Sequence, residues 1–205
     1  VEAVDMFKEN ADKYDLITLD LNLPKKDGIQ VAKEVRAISP TVPIIMLTAR
    51  GSESDQVLGL GIGADEYVTK PFSPIALIAR IKALHRRVMM EEKPSLPQET
   101  KQDYEIETEH LKISKSRREV LFDGQPVTDL TPKEFDLLYT MAQKPKQVFS
   151  RDQLLELVWG YEYYGEERTV DAHIKKLRQK LERVGTKVIQ TVWGVGYKFD
   201  DSQAK

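Results

Sequence analysis

The sequence predicts two domains of different class: an α/β domain on a doubly wound parallel sheet, then an α+β domain of strands, helices and a closing hairpin. Three observations predict this. From Val1 to about Met90, helical and strand signals alternate. From Met89 to Asp103, "MMEEKPSLPQETKQD" is polar, has two prolines and shows little periodicity, so it reads as a linker. From Tyr104 onward strands come first and helices follow. The boundaries are therefore 1–88, 89–103 and 104–205.

In the first domain, "VEAVDMFKEN" carries apolar residues at 1, 4 and 7, a helical spacing. "DLITLD" is a short apolar strand that ends in Asp20, followed by the turn pair Asp27-Gly28. Asp27 is a candidate N-cap for the amphipathic helix "GIQVAKEVRAIS". "PIIMLTA" is a buried strand, "ESDQVLGLG" a helix weakened by Gly59, "EYVTK" a strand, and "SPIALIARIKALHRR" a long helix. Alternation of this kind argues for a parallel sheet with helices on both faces.

In the second domain, "EIETEHLKISKSRREVLFDGQPVTDL" reads as short strands with Asp123-Gly124 as a hairpin turn. "TPKEFDLLYTMAQKP" opens with Thr131, Pro132 and Glu134 in capping-box spacing. "SRDQLLELVWG" has Ser150 as cap and Gly160 as stop, and "ERTVDAHIKKLRQKLERVG" is a third helix. "KVIQTVWGVGYKFD" alternates around Trp193-Gly194 and reads as a hairpin.

The chain has 205 residues, no Cys and a formal net charge of -2. It is no bulk polycation, has no disulfide framework or thiol nucleophile, and holds no 18-residue apolar run to span a membrane. No secretory leader is visible. A cytoplasmic protein fits these facts.

Asp20, Thr48 and Lys70 each stand at or near the end of an apolar strand. In open parallel sheets ligands bind beyond the carboxyl ends of the strands. Each residue alone reads as a solvated strand end, but three in register with the strand pattern point to a site. A carboxylate can attack phosphorus, a lysine can neutralise a phosphoryl oxygen, and a hydroxyl can donate to another. Pro71 suggests a fixed turn, with a cis bond as one option, that aims Lys70. Phosphoryl transfer normally uses Mg²⁺, held by oxygens.

"LDLNLPKKDG", "IIMLTA" and "GADEYVTKPFSP" together resemble the receiver domain of two-component response regulators over residues 1 to about 87. The resemblance implies that Asp20 accepts phosphate from a sensor histidine kinase and that Thr48 and Lys70 contact the phosphoryl group. It makes Asp20 and the Asn22 backbone carbonyl Mg²⁺ ligands, and Tyr67 the aromatic switch that turns inward. In one respect the chain departs from the family. A receiver starts strand–helix–strand, and its first strand ends in two acids that bind Mg²⁺. This chain starts at what resembles the second helix. Mg²⁺ is expected only with those acids, and without the first strand the Asp20 strand is an exposed edge. Our expectation is that the parent protein has residues before Val1.

The same resemblance gives a dimer face on "ESDQVLGLG", "EYVTK" and "SPIALIARIK". Val57, Leu60 and Ala79 form its apolar centre, and Arg80 pairs across the interface with Asp65 or Glu66. A second cross-pair found in relatives falls on Gln56 and Ala76, which cannot form one.

In "RTVDAHIKKLRQKLE", Val170, Ile174, Leu177 and Leu181 make an apolar stripe. Thr169, His173, Lys176 and Lys180 make a polar stripe at the same spacing, flanked by Lys175 and Arg178. Residues 168 to 187 hold seven Lys/Arg against two acids, whereas residues 104 to 200 hold sixteen of each. Positive charge is thus focused on one element, the footprint of a nucleic-acid reader. A solvated helix face is the plainer reading of a charge run, but a preceding helix and a following hairpin make a helix-turn-helix context.

"LTPKEFDLL", "VFSRDQLLELVWG", "RTVDAHIKKLRQKL" and "QTVWGVGYKF" resemble the winged helix-turn-helix effector of OmpR/PhoB-type regulators over residues 104 to 200. The resemblance implies a recognition helix in the major groove and a wing in the adjacent minor groove of promoter DNA. Arg168, Thr169 and Tyr197 would contact phosphates. His173, Lys175, Lys176, Arg178 and Lys180 would line the groove, and Thr191 and Trp193, on the wing, would complete the DNA-binding set. "YEYYGEE" matches a loop that can touch RNA polymerase. Trp193 stands where many relatives have Arg. Packing of the wing is preferred for it over stacking on a sugar.

The resulting expectation is a non-enzymatic, phosphorylation-regulated transcription factor that forms a homodimer on activation. Two alternatives stand beside it. An aspartate-nucleophile phosphatase of the haloacid-dehalogenase type wants a second acid two residues after the nucleophile, where this chain has Asn22. A phosphorylation-independent DNA binder would use the receiver only as a dimerisation scaffold.

Overall fold

The computed structural model describes residues 2–24, 26–49, 63–89, 104–160 and 167–202. They form two compact units that meet in sequence at Val88 and Met89. The "ESDQVLGLG" helix, with Val57 and Leu60, lies outside the described residues, as do nearly all of the linker and of "YEYYGEE". No helix among the described residues is long and apolar enough to cross a membrane.

The first unit runs α1 (Glu2–Glu9), a 3-10 turn (Ala11–Lys13), β1 (Ile17–Asp20), α2 (Gly28–Ile38), β2 (Ile44–Ala49), β3 (Glu66–Lys70) and α3 (Pro74–Met89). The three strands are parallel in the order β1-β2-β3, with Leu19 beside Met46 and Thr48 beside Thr69. Ile44, Ile45 and Met46 are all fully buried, which is why β2 is a continuous apolar run rather than an alternating one. Leu84 of α3 packs on Ile45 and Val68, with Leu77 and Ile81 beside it. Helix α2 buries Val31, Ala32 and Val35 and packs against α1 and β1.

Asp27 caps α2 as expected, its carboxylate accepting from the Ile29 N–H at 3.0 Å. Gly28 does something a turn reading does not capture. It is the first helical residue, and a Cβ there would lie 2.3 Å from the Asp20 carbonyl oxygen and 2.8 Å from the Leu21 Cα. Only glycine lets α2 start against the chain leaving β1.

The second unit opens with the antiparallel sheet β4 (Ile106–Glu107), β5 (Leu111–Ser114), β6 (Glu119–Phe122) and β7 (Gln125–Pro126). Asp123 and Gly124, with φ of 49° and 78°, turn the β6–β7 hairpin. Helices α4 (Pro132–Ala142), α5 (Arg151–Trp159) and α6 (Arg168–Leu181) follow, with β8 (Val148–Ser150) leading into α5. Both expected caps form. Thr131 and Glu134 make a capping box, and so do Ser150 and Gln153. The core gathers Phe135 and Leu138 of α4, Leu154 and Val158 of α5, and the Val170, Ile174, Leu177 and Leu181 stripe of α6.

The closing hairpin is β9 (Ile189–Val192) and β10 (Gly196–Phe199), with β10 between β8 and β9. Its turn is Trp193-Gly194-Val195, with Gly194 at φ 74°.

Candidate functional site

Asp20, Thr48 and Lys70 come together at the carboxyl end of the sheet. β1 and β3 flank β2, and the Lys70 ammonium reaches past the end of β2 to form an ion pair with Asp20. The other Asp20 oxygen accepts from the Asn22 N–H at 3.0 Å. Donation from Lys70, aided by the Asn22 amide and opposed by partial burial, holds the Asp20 carboxyl below its ordinary range. Asp20 is thus ionised at neutral pH and oriented from both oxygens. Thr48 is 3% exposed, with its hydroxyl donating to the Ala49 carbonyl at 3.3 Å. Tyr67 is also buried. The Lys70–Pro71 bond is cis, the option that Pro71 suggested.

A hard cation such as Mg²⁺ takes about six oxygens, several of them water or phosphate. The described residues contribute the Asp20 carboxylate and the Asn22 carbonyl, and among them no three acidic or histidine side chains cluster for a metal. These residues by themselves fall short of a metal site.

On the expected dimer face, Ala79 is exposed on α3. Asp65 needs correction. It is 0% exposed, accepts from the Ile44 N–H at 2.9 Å and pairs with Arg36 at 2.9 Å. Arg36 also donates to the Gly63 carbonyl at 2.6 Å. Asp65 therefore serves the interior, because its carboxylate satisfies the leading N–H of β2, and it cannot reach across a surface. Glu66 lies 3.9 Å from Arg80 within the chain, so the cross-interface partners already meet inside one copy.

Helix α6 turns a different face outward from the one its polar stripe suggested. Thr169 and His173 are buried at 3% and 1% exposure. The His173 Nδ1 lies 2.8 Å from the Thr169 carbonyl, and its ring meets Trp159 edge-on at 5.0 Å. Lys180 is turned in, its ammonium 2.7 Å from the buried Glu134 carboxylate and bonded to the Asp129 carbonyl. Arg178 braces the hairpin, donating to the Ile189 carbonyl at 3.1 Å and the Thr191 hydroxyl at 2.8 Å. His173, Thr169 and Lys180 are thus corrected from DNA-facing to structural. The outward stripe is Arg168, Ala172, Lys175 and Gln179, with Lys176 at its margin. Helix geometry separates the two stripes: the Thr169 stripe lies beside the apolar one, about 100° from it, whereas the Arg168 stripe lies about 200° from it, opposite the core.

Tyr197 is corrected too. It is 5% exposed, and its hydroxyl donates to Asp171 Oδ1 at 2.6 Å rather than facing outward. Arg151 Nε donates to the same oxygen at 2.7 Å. The guanidinium groups of Arg151 and Arg178 lie 5.1 and 5.4 Å from the Tyr197 ring centre. Burial and the bond to Asp171 push the Tyr197 hydroxyl up. This cluster joins α5, α6 and β10. Sequence reasoning missed its Arg151 and Asp171, whose link spans 20 residues and leaves no periodic signal.

Trp193 is corrected in the opposite sense: it does not pack the wing but stands 90% exposed at the hairpin tip.

Comparison with known proteins agrees with both units. Residues 1–82 match the response regulator receiver domain, and residues 124–199 match the C-terminal domain of transcriptional regulatory proteins. The chain is 55% identical to the uncharacterized transcriptional regulatory protein YclJ of Bacillus subtilis, over 98% of this chain and 85% of that protein. It is 49% identical to the transcriptional regulatory protein SrrA of Staphylococcus aureus, over 97% of this chain and 81% of that protein. Among solved structures, a mutant of RitR aligns with a TM-score of 0.66 at 31% identity, over 98% of this chain and 86% of that one. A receiver-type parallel sheet followed by a winged helix, in one chain and in this order, places the protein among the OmpR/PhoB-type response regulators, which regulate transcription through a DNA-binding domain.

Proposed function

We propose that this regulator is controlled by a phosphoryl group taken onto Asp20 from a sensor histidine kinase, and that phosphorylation favours a homodimer on double-stranded promoter DNA. The observation that carries the reading is the Asp20–Lys70 pair at the carboxyl end of the sheet, beside the buried Thr48. An ionised carboxylate is the nucleophilic form, and Asp20 is held in it. In the transfer, an Asp20 oxygen forms a bond to phosphorus as the phosphorus–nitrogen bond of a phosphohistidine breaks. Lys70 then shares its charge between the carboxyl and the phosphoryl oxygens, and Thr48 supplies a hydroxyl donor. The buried Tyr67 is the ring whose position reports the state. Phosphate shifts the population of two receiver states by its differential interaction with them. In the homodimer, Ala79 and Arg80 of α3 belong to the contact.

On DNA, α6 lies in the major groove with Arg168 and Lys175 toward the duplex, and the hairpin is the wing. RNA polymerase contact belongs to the same reading.

The test treats the full chain with acetyl phosphate and MgCl₂ and follows intact mass, dimerisation and DNA affinity, with D20N alongside. One added phosphoryl group in wild type and none in D20N, with tighter DNA binding, is expected. Unchanged dimerisation and affinity on phosphoryl addition would reduce the receiver to a scaffold.

A further inference from the structure

The wing of this protein lacks what a cationic minor-groove contact needs. From Gln190 to Tyr197 the hairpin carries no charged residue. Lys198, the nearest in β10, spends its ammonium on Asp200 at 3.2 Å. Trp193 instead stands 90% exposed, and Val195 beside it 49% exposed, across a Gly194 whose φ of 74° makes the tip narrow.

The fold has no use for this indole. The core of the second unit closes without it, and its other tryptophan, Trp159, is buried. Yet the tip is held firmly in relation to α6. Arg178 ties α6 to both Ile189 and Thr191 of β9, and Asp171 ties α6 to Tyr197 of β10. A helix set in the major groove therefore carries the hairpin tip to a fixed place alongside the same duplex.

We infer that Trp193 is an uncharged minor-groove wedge, through which the wing contacts DNA by laying its indole against sugar edges or a base step rather than by placing a cation there. Apolar side chains inserted in this way unstack base steps, and flexible pyrimidine–purine steps yield most readily. The wing then contributes sequence preference through deformability, and its contact releases no counterion. The inference rests on α6 being the helix that faces DNA.

The test uses the full chain and a fluorescein-labelled duplex enriched from random-sequence DNA by the wild-type protein. Four variants are titrated at several salt concentrations: W193A, W193F, W193R and, as a control for α6, K175A. W193A should weaken binding about 10-fold, the scale of one lost aromatic stacking contact, with the salt slope unchanged. W193F should keep most of the affinity. W193R should steepen the salt slope by about 1, because it adds a phosphate-neutralising charge. DNA should also shield the exposed indole from acrylamide quenching.

If K175A weakens binding and W193A does not, the wedge is overturned while α6 keeps its role. If neither does, the DNA-facing assignment of α6 falls as well. Unchanged affinity with lowered promoter output in W193A also overturns the wedge and assigns the indole to a protein partner.

Discussion

Lys180 is the residue for which spacing and structure disagree most testably. Its place in the polar stripe assigns it to DNA, whereas the structure assigns it to the interior. Its side chain is 16% exposed with the ammonium 2.7 Å from Glu134 Oε2, and the Glu134 side chain is 0% exposed. The same oxygen accepts the Thr131 N–H at 2.8 Å, completing the cap of α4. Lys180→Ala removes the cation and leaves a buried carboxylate with that amide as its remaining partner among the bonds described. Breaking a buried pair on one side costs about 3–5 kcal/mol. For a domain of 60–100 residues each kcal/mol moves Tm by about 4–8 °C, so even the lower figure lowers Tm by roughly 12–24 °C. The assay is thermal unfolding by circular dichroism, beside DNA titration over a range of salt. A companion variant, E134Q/K180M, removes both charges while keeping an acceptor for Thr131 and the lysine stem, and should recover most of the loss. The reasoning is refuted if K180A melts like wild type while its salt slope on DNA falls by about 1, for Lys180 would then be a phosphate contact.

Three further outcomes are expected. Gly28→Ala should destabilise the first unit by about 1–3 kcal/mol, because the added Cβ meets backbone atoms of Asp20 and Leu21 that have no rotamer to yield; it should also slow phosphoryl labelling of Asp20, and unchanged unfolding and labelling would contradict the close approach. Tyr197→Phe should cost about 1 kcal/mol by removing the bond to Asp171. The folded state favours the neutral Tyr197 hydroxyl, so its contribution is complete below about pH 10, the ordinary tyrosine value, and is lost as pH rises through the raised folded value; melting against pH should show this alkaline loss in wild type and less of it in Y197F. Asp20→Asn should flatten the acid limb of the first unit's stability. The ionised Asp20 contributes above about pH 3.9 and is lost as pH falls through its lowered folded value, and an acid limb unchanged in D20N would count against the Lys70 pair.

Much of this protein was legible in its residue order. Strand runs, caps and turn glycines are local signals: the Thr131–Glu134 box, the Asp27 cap and the Asp123-Gly124 turn need only a few neighbouring residues, and all three form. The Asp20, Thr48 and Lys70 constellation was also within reach, because parallel strands end on the same side of a sheet and so gather residues at strand ends. Whether the flanking Thr169 stripe of α6 would be covered was not. That stripe lies about 100° from the apolar one, at the edge of the core, and its burial depends on where α4, α5 and the hairpin press against it. That packing buried His173, committed Lys180 to Glu134 and Arg178 to the wing, and left Arg168 and Lys175 outside. It also withdrew Asp65 to the interior and left Trp193 uncovered. The sequence by itself determined the two folds and the chemistry of the strand ends, since both follow from local pattern and chain direction. Only the tertiary structure decided which charges are spent inside the protein, because a buried ion pair depends on partners that no local spacing brings together.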